Sequence, residues 1–385
     1  MNKISIKKVG VIGSGIMGSR IACHLANVGL EVILLDIPPK KLNEKEKKLK
    51  KNIKDKDVKN RIVDESLLTA VKSKPSPLFT KSNLNNIKTG NLEDDLYLLA
   101  SVDWIIEAVV ENLEIKKNVY DLIEKHRSNK TIISTNTSGI PINQISKGRS
   151  NNFKELFLGT HFFNPPRYLR LLEIIPGKET KKAVVDFFMD FGSKTLGKEM
   201  VICKDTPAFI ANRIGVYSIM ALFHNVKEMG LTIEEVDKLT GPVIGRMKSA
   251  TFRTCDVVGL DTLVHVANGL KENCKDDEAN ELFTIPEYVN KMVENNWLGS
   301  KTKQGFYKKV KGEDGKSKIL SLDLNTLEYR DKKKAKFATL ETTKSIDDLK
   351  ERTKVLMAGK DKAGEFYRKS FFGLFSYVSN RIPEI

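Results

Sequence analysis

Apolar positions follow two rhythms along this chain. Up to about residue 203, short unbroken apolar runs alternate with stretches where apolar side chains recur every three or four positions. The unbroken runs at 8–12, 32–35, 103–110, 131–134, 157–161, 171–175 and 198–203 read as strands. Helical spacing occupies the intervals, through Ile21, Ala22, Leu25 and Ala26, through Lys116, Val119 and Leu122, and over 180–196. Strands alternating with helices predict an α/β unit whose parallel sheet is covered on both faces. The rhythm then changes. Residues 209–229, 233–239, 261–270 and 285–295 are all helical in spacing, which predicts a separate all-helical domain. Runs at 307–310 and 318–322, joined by Gly312-Glu313-Asp314-Gly315, predict a β-hairpin.

The first strand runs straight into Gly13-Ser14-Gly15-Ile16-Met17-Gly18, and the second ends at Asp36. Strand, glycine turn, helix, strand, acid is the order of a dinucleotide site and defines a Rossmann-like, doubly wound sheet. Gly13 permits the tight turn, Gly15 lets backbone amides approach a pyrophosphate, and Gly18 lets the helix pack on the strand. The helix N-terminus adds partial positive charge. Asp36 can accept hydrogen bonds from ribose hydroxyls and would repel a 2′-phosphate, so the expected cofactor is NAD and not NADP.

His161 ends one strand run, and Glu173 stands twelve residues on in the next. If the two runs lie side by side, the imidazole can face the carboxylate. That contact fixes the tautomer and raises the basicity of the other ring nitrogen. A buried pair of this kind also serves stability alone. The nucleotide turn is what favours catalysis here. Glu111, Lys116, Ser138 and Asn164 fall at or just beyond strand ends, where such sheets hold ligands.

Composition narrows the alternatives. A chain of 385 residues can hold two or three domains. No apolar run is long enough to span a bilayer, and the start leads directly into the first strand, so a cytoplasmic protein is expected. Cys23, Cys203, Cys255 and Cys274 are scattered without metal-ligand spacing, so no metal is expected. The net charge of +16 owes much to the lysines of 40–59, which read as one solvated helix. No nucleic-acid motif accompanies that charge, and no nucleic-acid partner is expected. Some of these lysines could face a phosphorylated substrate. Finally, FIANRI at 209–214 recurs loosely as YVSNRI at 377–382, as though a second helix begins where the sequence stops. This predicts a truncated second helical repeat.

With these residues placed, the chain resembles the L-3-hydroxyacyl-CoA dehydrogenase family of fatty acid β-oxidation. The resemblance covers about residues 7–310. It rests on GSGIMG with Asp36, IEAVVENLEIKK, STNTSG, GTHFFNPP with LLEIIPG, CKDTPAFIANRI and KTKQGFY, in that order. It looks most like the dehydrogenase part of long multifunctional proteins, in which a second helical repeat and an enoyl-CoA hydratase domain follow. Four segments are therefore expected: an NAD-binding domain over 1–204, the family's helical C-terminal domain over 205–310, a hairpin and linker over 311–370, and the start of the second repeat over 371–385. The resemblance implies His161 as catalytic base and Glu173 as its charge partner. It implies Ser138 and Asn212 as the groups holding the substrate hydroxyl. Glu111, Lys116, Ser138 and Asn164 would line the nicotinamide end, with Lys116 also close to CoA, while Gly13, Gly15, Ile16, Met17, Gly18 and Asp36 would hold the rest of NAD. The substrate implied is an acyl-CoA thioester. Relatives dimerise through the helical domain, a contact that an intramolecular repeat could replace. Ala208 stands where many relatives have glycine, and Met247 where many have proline. Two rivals remain open: a dehydrogenase of a free hydroxy acid, using Arg167 or Arg170 for the carboxylate, and an NAD-binding module without activity.

Overall fold

The computed structural model describes residues 4–312 and 315–385. The chain divides into two compact units, Met1–Phe209 with Ile385, and Ile210–Glu384.

The first unit is built on eight strands: β1 Lys8–Ile12, β2 Glu31–Asp36, β3 Ile87–Asn91, β4 Trp104–Glu107, β5 Ile132–Thr135, β6 Phe157–Phe162, β7 Leu171–Pro176 and β8 Glu199–Ile202. They lie in the order β3-β2-β1-β4-β5-β6-β7-β8. Strands β1 to β6 run parallel. The β6–β7 junction is antiparallel, and β8 then runs parallel to β7. Every residue of β4 and β5 is buried, which is why these strands carry unbroken apolar runs. Trp104 packs edge-on to Phe188 at 4.9 Å, and its indole N–H donates to Ser134 Oγ at 2.9 Å. Full burial of a large apolar side chain contributes roughly 1.5–3 kcal/mol, so this core holds the strand ends stiffly.

Local chemistry departs from the sequence expectation in several places. Residues 40–59 do not form one helix. A capping box at Asn43 starts a short helix, Glu44–Lys48, and Lys50 in the left-handed region (φ 52°) ends it. A second turn, Lys56–Lys59, leads into a longer helix, Arg61–Lys72, that buries Val63, Leu67 and Ala70.

The second unit contains the helices Ala211–Glu228, Ile233–Leu239, Phe252–Val258, Leu260–Asn273 and Glu287–Glu294. The expected hairpin is a three-stranded antiparallel sheet, with β9 Tyr307–Lys311, β10 Ser317–Leu322 and β11 Tyr329–Asp331. Glu313 and Asp314, which fall in the expected hairpin link, lie outside the described residues. Helices Ala338–Thr342, Leu349–Ala358 and Lys362–Arg381 follow.

The last helix corrects the reading of a helix beginning near residue 377. It starts at Lys362, capped by Asp361, whose side chain accepts the Gly364 N–H at 3.1 Å. YVSNRI is therefore the end of a 20-residue helix, while FIANRI opens the helix Ala211–Glu228. The two segments nonetheless meet. Tyr217 and Tyr377 stack at 3.8 Å, and Arg213 and Arg381 approach Asp277 at 2.5 and 3.7 Å. Among the described residues, no helix is long and apolar enough to cross a membrane.

Candidate active site

The glycine turn is closed at two points and open at one. Gly13 has φ +96°, and a Cβ there would lie 2.7 Å from the Ala108 carbonyl oxygen. A Cβ on Gly18 would meet the Gly13 carbonyl oxygen at 1.8 Å. At Gly15 an added Cβ would meet nothing within 4 Å. Backbone thus demands glycine at the first and third positions, and the second leaves open space before the helix Ile16–Asn27. That helix start has no side-chain cap, so the amides of Ile16 and Met17 remain as donors for a phosphate. Asp36 Oδ2 accepts from the Ser14 N–H and hydroxyl, both at 2.6 Å, and Oδ1 accepts from the Ile37 N–H at 2.7 Å. The carboxylate is thereby held at the end of β2 above the turn. These residues fit a dinucleotide.

Farther along the same sheet edge, β6 and β7 pair so that His161 lies directly opposite Glu173. His161 Nδ1 is 2.6 Å from Glu173 Oε2, and both side chains are buried. The rings of Phe163 and Phe209 lie 4.4 and 5.7 Å from the imidazole. A bond from Nδ1–H to the carboxylate leaves Nε2 as the proton-accepting nitrogen.

Between cradle and histidine sits a network around Glu111. Its Oε1 accepts from the Thr137 hydroxyl at 2.5 Å and from the backbone N–H groups of Ser138 and Gly139 at 3.0 Å. Burial raises the Glu111 pKa, but the Lys116 charge and these hydrogen bonds outweigh it and hold the carboxyl below its ordinary range. The loop after β5 is thus pinned around Ser138, whose side chain has no hydrogen-bond partner among the described residues. The next residues are tied as well, since Phe162 N–H donates to Asn136 Oδ1 at 2.9 Å. Asp205 accepts from the backbone N–H groups of Ile142 and Asn143 at 2.6 and 2.8 Å.

Lys116 is placed differently from the resemblance. Its ammonium is buried, 2.8 and 3.0 Å from the two oxygens of Glu107 and 3.3 Å from Glu111. It offers no exposed cation to a CoA phosphate and acts on the site by holding Glu111. Glu107 was missed in the sequence because it sits inside an apolar run. It also accepts from Tyr120, Thr135 and the Val109 N–H, so every approach to this fully buried carboxylate is occupied. Asn164 is exposed, and its Oδ1 accepts from Arg20 at 2.6 Å, a partner with no sequence signal. Asn212 lies in the first turn of the helix Ala211–Glu228, in the second unit. Arg167 donates to the carbonyls of Ser76 and Leu78, and Arg170 pairs with Glu199. Arg167 is thus tied to backbone carbonyls, while the Arg170 pair is a surface one, exposed on both sides. All four cysteines are buried, and no disulfide joins them.

A doubly wound sheet with a glycine cradle and an acid at the end of its second strand defines a nicotinamide-dinucleotide-binding fold, and a buried histidine–glutamate pair stands at the same edge. The chain belongs to the 3-hydroxyacyl-CoA dehydrogenase family: residues 8–206 match its NAD binding domain and residues 209–309 its C-terminal domain. It is 48% identical over 359 residues to the "Probable 3-hydroxyacyl-CoA dehydrogenase" of Bacillus subtilis (strain 168), a match covering 93% of this chain and 45% of that one. It is 32% identical over 381 residues to the "Putative fatty acid oxidation complex trifunctional enzyme" of Rickettsia prowazekii (strain Madrid E), covering 99% of this chain and 49% of the relative. The chain thus spans about half the length of both. Among solved structures, (S)-3-hydroxybutyryl-CoA dehydrogenase PaaH1 from Ralstonia eutropha superposes with a TM-score of 0.61 at 28% identity, covering 78% of this chain and 98% of that one.

Proposed function

We propose that this chain catalyses the NAD-dependent oxidation of (S)-3-hydroxyacyl-CoA to 3-oxoacyl-CoA, and the reverse reduction, as a step of fatty acid β-oxidation. The observation carrying this reading is the 2.6 Å contact between His161 Nδ1 and Glu173 Oε2 in adjacent strands of the sheet that bears the glycine cradle. NAD⁺, when bound, supplies the hydride acceptor. His161 Nε2 takes the proton of the substrate 3-hydroxyl, and Glu173 stabilises the imidazolium that results. In the reductive direction the imidazolium returns that proton to the substrate oxygen. Phe163 and Phe209 hold the imidazole plane and limit water around it. The Ser138 hydroxyl orients the substrate oxygen, on a loop that Glu111 keeps in place. Holding one oxygen in line is positioning work, which contributes heavily to such steps. Asn212 is assigned the second hydroxyl contact on the family resemblance, and Asn164 a place at the nicotinamide end.

The bonds of Arg167 to the Ser76 and Leu78 carbonyls disfavour its use for the carboxylate of a free hydroxy acid. The test is loss of NADH absorbance with acetoacetyl-CoA, beside NADPH and beside free acetoacetate. Turnover confined to NADH with the thioester supports the proposal. Equal rates with free acetoacetate, or a preference for NADPH, would reject it.

A further inference from the structure

The second unit contains a cavity of about 750 Å³ that the dehydrogenase chemistry does not use. It lies between the helical elements and the three-stranded sheet, and eight of its fifteen lining residues are lysine or arginine. Lys238 and Lys248 come from the helical side, Lys303 from the KTKQGFY segment, Lys309 from β9, and three consecutive lysines, 332–334, from the stretch after β11.

Lysine is abundant throughout this chain, so number alone decides nothing. Convergence on one concavity does. In the lysine-rich stretch of the first unit, Lys47, Lys51 and Lys59 meet acids, and the stretch does not line this cavity with the other lysines of the chain. Around the cavity, none of the seven lysines has a carboxylate within 4.0 Å among the described residues, and Arg253 approaches Asp256 only at 3.8 Å.

The two acids of the lining are already engaged. Glu234 accepts from both Arg330 Nη atoms, at 2.7 and 3.1 Å, and from the Lys333 N–H. Asp237 accepts from the Tyr307 hydroxyl and from the N–H groups of Thr251, Phe252 and Arg253. They shape the cavity wall, and although the Glu341 charge reaches Lys238 and Lys334 from outside it, none of the seven lysines is held in an ion pair among the described residues. Like charges held close together around a concave, partly desolvated space raise the potential there. The same wall carries Ile319, an exposed apolar side chain, and the Tyr307 ring, over which Lys332 Nζ sits at 4.8 Å. The volume falls in the range of sites for small organic ligands.

We propose that this cavity binds a small organic polyphosphate of the nucleoside di- or triphosphate class, its phosphates held by the unpaired lysines and its base against Ile319. The site lies wholly in the second unit and is independent of the glycine cradle. A longer polyanion such as single-stranded nucleic acid is the competing occupant. The concave shape and the limited volume favour the small ligand.

The test is calorimetric titration of the full chain with inorganic tripolyphosphate and with ATP, at physiological salt and with saturating NADH to occupy the dinucleotide cradle. Three variants are compared: the unsubstituted chain, Lys248→Gln/Lys309→Gln/Lys334→Gln, and a control of equal charge, Lys88→Gln/Lys130→Gln/Lys178→Gln. All six lysines are exposed, so folding is retained. Saturable one-to-one binding that weakens by about tenfold or more in the cavity variant and less than twofold in the control is expected. Absence of saturable binding, or equal weakening in both variants, overturns the proposal. So does tighter binding of a single-stranded DNA oligonucleotide than of either polyphosphate, lost in the same cavity variant.

Discussion

Acidification should loosen the first unit through one buried histidine. His24 lies on the helix Ile16–Asn27, whose first turn forms the nucleotide cradle, and it is 4% exposed. Its Nε2 lies 3.1 Å from the Leu196 carbonyl oxygen and so carries the proton that it donates. Nδ1 is buried with no hydrogen-bond partner among the described residues. Protonating Nδ1 would bury an N–H without an acceptor, beside the Lys198 ammonium. Burial first, then the Lys198 charge, lower the His24 pKa from 6.5 to about 4, against a small opposing effect of the Leu196 bond. Between those two values the unfolded chain holds a proton that the folded chain lacks. Stability from this group is therefore full above pH 6.5 and is lost as pH falls toward 4. One pH unit inside that window is worth ~1.4 kcal/mol, so the loss between pH 7 and pH 5 is about 2 kcal/mol. Urea unfolding followed by Trp104 fluorescence, in a Trp297→Phe background, isolates the first unit. Relative to His24→Gln, the parent should lose about 2 kcal/mol over that interval. Parallel pH profiles for the two proteins would refute the reasoning.

Other outcomes follow from the site. Lys116→Met leaves the Glu107 carboxylate buried without its cation, a change that costs about 3–5 kcal/mol, and thermal unfolding of the first unit should show it; an unchanged melting temperature would mean that the pair does not stabilise the fold. Ala208 has φ +61°, so Ala208→Gly should stabilise by about 1 kcal/mol, read as a rise in melting temperature, and a fall would show that the buried methyl outweighs the strain. Asp36→Ser removes the charge expected to repel a 2′-phosphate. The NADH-over-NADPH preference in kcat/KM should shrink by about tenfold or more, and an unchanged ratio would place the discrimination elsewhere.

The parts legible in the sequence were those where burial imposes a simple pattern. Strands β1, β4 and β5 are covered on both faces and show as apolar runs, and the glycine turn carries its own backbone demands. His161 and Glu173 were legible because adjacent strands bring chosen positions into register. Edge strand β3, with sequence IKTGN and only its last two residues buried, carries no such run. The helix Arg61–Lys72 does show Val63, Leu67 and Ala70 at helical spacing, but the lysine-rich stretch before it hid the start. The helix Lys362–Arg381 was read too late in the chain because its motif lies at its end, not its beginning. Glu107 and the contacts of Glu111 had no sequence signature: the first sits inside an apolar run, and the second depends on backbone N–H groups of a loop. Such contacts follow from where the strands place the chain.

The most direct test of the account is the rate of acetoacetyl-CoA reduction by NADH in His161→Gln beside the unsubstituted chain, with NADH affinity measured in both. The account predicts a kcat lower by ~100-fold or more, at the low end of what a positioned general acid–base contributes, with NADH affinity retained. An unchanged kcat would remove His161 from the proton transfer and, with it, the central claim.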